Sequence, residues 1–173
     1  ARVGTLMVRQ FVDSRRTHLG LILSTSDEHY GSADEFELAV SVVGSLGRNA
    51  LIEDQAVSVT TGRSPLPSHN PVLLLDALAG VELAERGGDL QVLVKHSIPI
   101  VRGASVIVLV VGSTTPPAAL RSGLHRFQHD AQALGVRVNP GADVSIQTVG
   151  STSILELGSL DQLHRGLRAS VAA

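Results

Sequence analysis

The stretch 105–111, with the sequence Ser-Val-Ile-Val-Leu-Val-Val, decides the fold class of this chain. Its unbroken run of apolar, mostly β-branched residues has no polar face, so a strand formed by it must be covered on both sides. A second run of this kind, Leu-Gly-Leu-Ile-Leu-Ser-Thr at 19–25, predicts another buried strand. Strands that are buried on both faces are typical of a parallel sheet between two layers of helices.

The segment after the second run is predicted to form a helix over residues 33–51. Apolar residues recur there at three- and four-residue spacing, which gives one stripe that can pack on a sheet. Ser32 and Glu35 form a capping box, in which the hydroxyl and the carboxylate each satisfy a free amide at the helix start. We therefore expect Glu35 to remain in contact with water.

The rest of the chain continues to alternate strands with helices. Such alternation implies a Rossmann-like, three-layer α/β/α fold with a mostly parallel sheet. Ligands bind beyond the carboxyl ends of the strands in such sheets, so the informative loops follow Leu23, Thr60 and Val111. Further helices are predicted over 71–86 and 116–134, with a last one capped by Ser159, and further strands over 6–12, 56–60, 136–139, 144–149 and 153–157. The apolar residues of 90–98 fit both a short helix, which we favour, and the alternation of a strand.

The composition excludes several classes of protein. With 173 residues, of which 43% are hydrophobic and 17% charged, the chain has the length and composition of one folded domain, 1–173. Its formal charge of -2 and its 2% of aromatic residues do not favour nucleic-acid binding. The absence of cysteine excludes disulfides, thiol nucleophiles and thiolate metal sites. No apolar run approaches the ~20 residues that a membrane-spanning helix needs.

Common catalytic signatures are absent, and isolated titratable residues give weak alternatives. No G-x-G-x-x-G follows a strand, and neither a P-loop nor a G-x-S-x-G elbow occurs. His125 and His129 have a spacing that could place both on one metal, but both point away from the predicted core. Asp76 interrupts an apolar run, so it either has a hydrogen-bonding partner or reaches water.

The strongest candidate site is the segment 24–28, Ser-Thr-Ser-Asp-Glu, at the carboxyl end of the first buried strand. Its oxygen-bearing side chains could hold a hard divalent cation such as Mg²⁺ or Mn²⁺. The same residue types also suit an ordinary turn, because they form hydrogen bonds to their own backbone.

The opening residues, Ala-Arg-Val-Gly-Thr-Leu-Met-Val-Arg-Gln-Phe at 1–11, resemble the signature segment of the bacterial domain-of-unknown-function family 58. The resemblance covers the whole chain as the carboxyl-terminal part of that family, and the actinobacterial style of Phe-Glu-Leu-Ala-Val-Ser-Val-Val-Gly-Ser at 36–45 strengthens it. The upstream half of the signature is missing and the chain begins at Ala1, so we expect it to be a piece of a longer protein.

This resemblance implies a von Willebrand factor A-like domain, often carried behind membrane helices and encoded beside a MoxR-type AAA+ ATPase. Many such domains bind partners through a metal-ion-dependent adhesion site, D-x-S-x-S, which is completed by a Thr and an Asp from later loops. The aligned positions here are Ser24, Ser26 and Glu28, and no Asp follows the strand that ends at Val111. Two carboxylates are therefore lost, and we expect a degenerate site without metal.

The sequence thus predicts a non-enzymatic, protein-binding module on the cytoplasmic side of an envelope-associated protein, without catalytic residues or cofactor. Alternatives are metal-dependent adhesion, with Asp27 or Glu28 replacing the lost Asp, and a hydrolase that uses Asp76 or a metal at the degenerate site. Arg2 and Arg9 could equally brace the missing upstream segment. The candidate partner-binding residues are Arg2, Arg9, Phe11, Ser24, Ser26, Asp27, Glu28 and Ser113.

Overall fold

A seven-stranded sheet forms the centre of the protein. The computed structural model describes residues 17–172. The strand order is β3-β2-β1-β4-β5-β7-β6, and all neighbours are parallel except the β2–β3 and β6–β7 pairs. The strands are β1 (His18–Leu23), β2 (Ala56–Thr60), β3 (Pro65–Leu66), β4 (Val106–Gly112), β5 (Gln132–Val138), β6 (Ser145–Val149) and β7 (Thr152–Leu157).

Helices cover both faces of this sheet, as the sequence predicts. One face packs against α1 (Ala33–Ile52), α2 (Pro71–Ala79) and α5 (Leu163–Ala172). The other face packs against α3 (Leu90–Ser97) and α4 (Pro117–His125). Short 3-10 turns at Asp27–His29 and Leu160–Gln162 complete the described elements. The predicted fold class, a three-layer α/β/α arrangement with a mostly parallel sheet, is confirmed.

The strand β4 shows why its sequence is apolar at every position. Val106, Val108 and Val110 belong to the core beneath α1, whereas Ile107, Leu109 and Val111 belong to the core beneath α3 and α4. Each such side chain contributes about 1.5–3 kcal/mol on full burial. Because successive side chains of β4 enter opposite cores, every position of this central strand must be apolar.

The chain changes direction between β1 and β4. From β1 it crosses through α1 to β2 on one side, and it later returns to place β4 on the other side of β1. Adjacent strands whose connections leave in opposite directions open a crevice at their carboxyl ends. The loops that follow Leu23 and Gly112 therefore meet at this edge of the sheet.

The predicted helix over 71–86 is too long, because α2 ends at Ala79. The chain beyond it turns towards the loop after β1. The amide of Ala84 donates to the Thr25 carbonyl at 2.7 Å, and the amide of Asp27 donates to the Ala84 carbonyl at 3.2 Å. This extended pairing with the β1 loop replaces the last predicted turns of the helix.

The predicted helix over 116–134 is also wrong in its second half. It ends at His125, and residues 132–138 form β5 between β4 and β7. Leu134 and Val136 face the α1 side, whereas Ala133 faces the α4 side, so β5 is buried on both faces. Gly135, predicted as a helix end, lies inside this strand, where a Cβ would come within 2.9 Å of Leu120.

The other predicted elements agree with the structure, with small changes. The helices at 33–51 and 90–98 and the strands at 56–60, 144–149 and 153–157 are present. The last helix begins with a 3-10 turn, and its cap differs from the prediction, since the Gln162 side chain accepts from the Gly158 amide and the Ser159 side chain forms no cap. The predicted strand 6–12 lies outside the described residues. Within 17–172, no helix is both long and apolar enough to cross a membrane.

Candidate functional site

The crevice at the carboxyl ends of β1 and β4 gathers several residues predicted from the sequence. The loop 24–31 follows β1 and the loop 113–116 follows β4, and we call them the β1 loop and the β4 loop. The hydroxyl of Thr114 donates to the Glu28 carbonyl at 2.7 Å, which joins the two loops. Ser24 and Ser26 are buried, whereas Asp27 and Glu28 are exposed.

Ser24 is held by four hydrogen bonds, one of which runs from its amide to the Val110 carbonyl at 3.1 Å. Its Oγ lies 2.6 Å from His29 Nδ1 and accepts from the Ser26 amide at 3.3 Å. Its carbonyl accepts from the Tyr30 hydroxyl at 2.7 Å. The direction of the contact depends on the imidazole tautomer: with the proton on Nε2, Ser24 Oγ donates to His29 Nδ1.

The electrostatic surroundings of His29 favour this neutral form. Burial lowers the pKa of His29, and the nearby charges of Glu28 and Asp89 only partly oppose that effect. A neutral imidazole is the form that can accept a proton from Ser24. Ser24 and His29 are five positions apart, a spacing that indicates a turn and does not by itself indicate a contact between the two side chains.

Glu35 is the main residue that sequence reasoning placed wrongly. It was expected in water as half of a capping box, yet it is 6% exposed. The Ser32 hydroxyl caps the Glu35 amide as predicted. The Glu35 carboxylate instead accepts from the Gly31 amide at 2.8 Å, the Ser113 amide at 3.0 Å and the Ser113 hydroxyl at 2.5 Å. It therefore ties the start of α1 to the β4 loop.

The pKa of Glu35 reflects these contacts. Burial acts to raise it, but the hydrogen bonds from Ser113 and Gly31, together with the positive charge of Arg137, outweigh burial and lower the pKa. The lowered pKa favours the ionised carboxylate, which accepts three hydrogen bonds from this chain.

Arg137, which the sequence analysis did not single out, supports the β4 loop from the other side. Its Nε donates to the Thr115 carbonyl at 3.1 Å, and its Nη2 donates to the Ser113 carbonyl. Its Nη1 forms an ion pair with Glu156 at 2.9 Å. Asn139 donates to the second oxygen of Glu156 at 3.0 Å, so the end of β5 and the end of β7 both anchor the loop.

Gly112 allows the two loops to approach closely. A Cβ at this position would overlap the His29 carbonyl oxygen and the Tyr30 ring, and it would lie 2.8 Å from a Glu35 carboxylate oxygen. Any side chain here would push the β1 loop away from the end of β4.

A polar cleft of about 180 Å³ opens beside the β1 loop. Hydroxyl groups, glycines and basic side chains line it, together with apolar side chains of α3. No carboxylate among the described residues lines it. The lining residues are Ser24, Thr25, Ser26, His29, Thr61, Gly62, Arg63, Gly87, Gly88, Val92, Leu93 and His96.

The positions predicted to form a degenerate adhesion site carry few carboxylates. Mg²⁺ and Mn²⁺ prefer carboxylate oxygens, but the position of the leading Asp is Ser24, whose Oγ is engaged by an imidazole. Asp27, proposed as a replacement, accepts from the Arg86 amide at 3.0 Å. No cluster of three His, Asp or Glu within residues 17–172 is arranged to hold a metal.

The remaining predicted residues lie away from this crevice. Asp76 is exposed on α2 and reaches water. His125 and His129 are exposed, and His125 Nδ1 lies 2.7 Å from the side-chain oxygen of Gln128. Arg2, Arg9 and Phe11 lie outside the described residues.

Comparisons with known proteins show a likeness to solved structures. No protein-family model and no curated protein matches the chain. The chain is similar to the solved structure "von Willebrand factor type A from Catenulispora acidiphila", with 11% identity and a TM-score of 0.48. This match covers 91% of the chain but 42% of the solved one, so the chain spans less than half of that protein's structure. The resemblance to the domain-of-unknown-function family 58 stays a prediction.

Proposed function

We propose that this chain is a non-enzymatic protein-interaction module whose binding face is formed by the β1 and β4 loops. The observation that carries the proposal is the network of Glu35, Ser113 and Arg137. This network of hydrogen bonds holds both loops in place on the side of the protein core. Asp27, Glu28 and Thr114 on the same loops are exposed to solvent. Loops that are already ordered lose little conformational entropy on association, which favours binding.

The proposed binding mode uses no metal. Ser24 Oγ contacts His29 Nδ1, and the carboxylate of Glu35 accepts three hydrogen bonds from Gly31 and Ser113. At the adhesion-site positions, a divalent cation would find one carboxylate, that of the exposed Glu28, and would have to displace the contact between Ser24 and His29. The chemistry of the donors therefore supports direct contacts between protein groups.

The resemblance described for the opening residues supports a more specific proposal. The partner would be a MoxR-type AAA+ ATPase, and the module would act on the cytoplasmic side of an envelope-associated protein. This part of the proposal depends on the motif at 1–11 and is independent of the crevice geometry.

Affinity capture with quantitative mass spectrometry tests the function. The bait is the chain 1–173, compared with Glu28→Arg on the proposed face and Asp130→Arg as a matched charge reversal. Asp130 is exposed just before β5, at the opposite edge of the sheet. We expect a captured ATPase to be depleted at least about tenfold by Glu28→Arg and unaffected by Asp130→Arg, since reversing the charge of a contact residue removes its complementarity to the partner surface. Equal capture by all three baits would overturn the proposed face.

A second candidate function, a serine hydrolase, is favoured by the 2.6 Å contact between Ser24 Oγ and His29 Nδ1. Against it, Ser24 is 1% exposed and its Oγ also accepts from the Ser26 amide. A fluorophosphonate probe distinguishes the two functions. Labelling of the wild-type chain that disappears in Ser24→Ala and persists in Ser122→Ala, a control at an exposed serine of α4, would favour the hydrolase.

A further inference from the structure

We propose that the cleft between α4 and the β6–β7 turn binds a phosphate monoester. The cleft lies where α4 ends and where the turn at Gly150 and Ser151 leads into β7. Since β7 runs parallel to β5, β4 and β1, this turn lies at the amino ends of the strands, whereas the β1 loop lies at their carboxyl ends. The inference therefore concerns a separate surface and does not depend on the proposed function.

The layer of helices that carries the cleft is basic. Over residues 90–131, Asp130 is the only acidic residue, although the whole chain has more acidic than basic residues. The same segment contains Lys95, Arg102, Arg121 and Arg126. None of these four cations forms an ion pair within residues 17–172. The local charge therefore attracts an anion, and no carboxylate among the described residues lines the cleft.

Arg121 supplies a positive charge that this chain does not neutralise. Its Nη2 donates to the side-chain oxygen of Gln147 at 3.2 Å, which holds the guanidinium beside the cleft. Its Nε is buried without an acceptor in the described part of the chain. Its Nη1 forms no hydrogen bond there either, and it is not among the buried atoms that lack a partner, so it reaches solvent. This amino group is available to a ligand oxygen.

His125 stands one turn further along α4 and is oriented by hydrogen bonds. Its Nδ1 lies 2.7 Å from the Gln128 side-chain oxygen, and the Gln128 side-chain nitrogen donates to the Thr152 hydroxyl. Because an amide oxygen only accepts, His125 donates from Nδ1, and its Nε2 has no partner among the described residues. His125 is exposed and lines the cleft, so its protonated form can donate from Nε2 to an anion.

The β6–β7 turn faces α4 across the cleft and adds neutral donors. The pairing of β6 with β7 ends at Val149 and Thr152, so the amides of Gly150 and Ser151 lie beyond the ladder. Neither amide forms a hydrogen bond within residues 17–172. Gly150 has a φ of +62°, which favours glycine at the first position of a two-residue hairpin turn. The exposed hydroxyl groups of Ser122 on α4 and Ser151 on the turn also line the cleft.

The arrangement of the donors and the size of the cleft favour a phosphate monoester over a carboxylate. A phosphate monoester carries a charge of about −1.5 to −2 at neutral pH and three acceptor oxygens, so it can contact Arg121 and the turn at once. The volume of the cleft, about 460 Å³, lies within the roughly 300–1,000 Å³ of small-molecule sites and leaves room beyond the phosphate group. Val149, which is 57% exposed, lines the cleft and can pack against the organic part of the ester.

An NMR titration of the ¹⁵N-labelled chain tests this inference. The probes are glycerol 3-phosphate, which represents a free metabolite, and acetyl-Gly-phosphoserine-Gly-amide, which represents a phosphorylated protein. We expect saturable shift changes at Ser122, Gly150 and Ser151, at a dissociation constant of the order of 1 mM. The ester that binds more tightly identifies the source of the phosphate group, and either result supports the site. Unphosphorylated acetyl-Gly-Ser-Gly-amide should give no saturable change, and inorganic phosphate and sulfate should bind at least about threefold more weakly, because they lack the part that packs against Val149.

Two pairs of variants complete the experiment. Arg121→Gln should raise the dissociation constant of the tighter ester at least about tenfold, whereas Arg126→Gln, at an exposed arginine that does not line the cleft, should leave it unchanged. Ser151→Asp places a negative charge on the turn and should also raise the constant at least about tenfold. Its control is Ser145→Asp, at the exposed far end of β6, which should have no effect. Because Ser151 is exposed on a turn, this second pair keeps the test valid if Arg121→Gln loses its fold together with the Gln147 contact.

Three outcomes would overturn the inference. Equal binding of sulfate, inorganic phosphate and both esters would mean an adventitious ion only. The absence of saturable shift changes at Ser122, Gly150 and Ser151 would mean that the cleft binds no phosphate ester. Binding that neither Arg121→Gln nor Ser151→Asp weakens would place the ligand elsewhere on the protein.

Discussion

The carboxylate of Glu35 lies 2.5 Å from the hydroxyl of Ser113, and the two residues are 78 positions apart in the chain. Glu35 stands in the first turn of α1, and Ser113 follows the last residue of β4. One buried acid therefore holds together the two loops on which the proposed binding face depends.

Glu35→Ala should lower the free energy of unfolding by about 2–3 kcal/mol, because it leaves the amides of Gly31 and Ser113 without their acceptor. Urea denaturation followed by circular dichroism measures this change. Glu37→Ala is the matched control, since Glu37 is exposed on the same helix and should change stability by less than about 0.5 kcal/mol. Equal losses of unfolding free energy in the two variants would mean that the hydrogen bonds of Glu35 make no specific contribution to stability.

The same carboxylate predicts a dependence of stability on acid pH. The pKa of Glu35 in the folded protein is lowered from its ordinary value of 4.5, so the unfolded chain takes up the proton first as the pH falls. The stabilisation by ionised Glu35 is therefore complete above about pH 4.5 and is lost as the pH falls through the lowered pKa. The stability difference between wild type and Glu35→Gln, measured by urea denaturation, should stay constant from pH 7 to pH 5 and shrink below about pH 4.5. A difference that grows on acidification would contradict the lowered pKa.

The lowered pKa of His29 predicts a second dependence of stability on pH, in a higher pH range. Burial lowers its pKa in the folded protein from 6.5, so below that pH the unfolded chain binds a proton that the folded chain still excludes. Stability is therefore undiminished above about pH 6.5 and decreases as the pH falls towards the lowered pKa. The melting temperature of the wild type should fall between pH 7.5 and pH 5.5 by more than that of His29→Asn, which retains an acceptor for Ser24 but has no ionisable group. The control His164→Asn, at an exposed position of α5, should keep the full wild-type decrease.

The fold could be predicted from the sequence mainly where burial constrains every position. Strands β1 and β4 lie between two layers of helices, so their apolar runs are unambiguous. The second half of the helix predicted over 116–134 was wrong because Leu124, Phe127, Ala131 and Leu134 also fit a helical stripe. Residues 132–138 form a strand because β5 pairs with both β4 and β7. This pairing joins segments that are distant in sequence, so local periodicity does not reveal it.

The candidate site was predictable only in its position. The oxygen-rich segment 24–28 at the end of β1 indicated the correct loop, because local sequence determines where that strand ends. The interpretation of Glu35 as a capping residue failed because its acceptor role depends on Ser113, and nothing near Glu35 in sequence signals that partner. Arg137 was missed for the same reason, since its partners lie on the β4 loop and on β7.

Gly112→Ala should disturb the crevice more than its one added methyl group suggests. The new Cβ would overlap the His29 carbonyl and the Tyr30 ring. Both residues are held in the β1 loop, because the His29 amide donates to the Ser26 carbonyl and the Tyr30 hydroxyl donates to the Ser24 carbonyl. Overpacking of this kind typically lowers the free energy of unfolding by about 1–3 kcal/mol.

Gly80→Ala is the control for this substitution, because its φ is −92° and a Cβ there would meet only the Ala77 carbonyl oxygen, at 3.6 Å. That variant should be neutral or more stable by up to about 1 kcal/mol, since alanine restricts the unfolded chain. Urea denaturation compares the two stabilities, and NMR shifts of Ser26 and Ser113 report the loop geometry. Gly112→Ala should shift both signals while Gly80→Ala shifts neither. If Gly112→Ala were as stable as the wild type and left both signals in place, the close approach of the β1 loop to the end of β4 would not hold in solution.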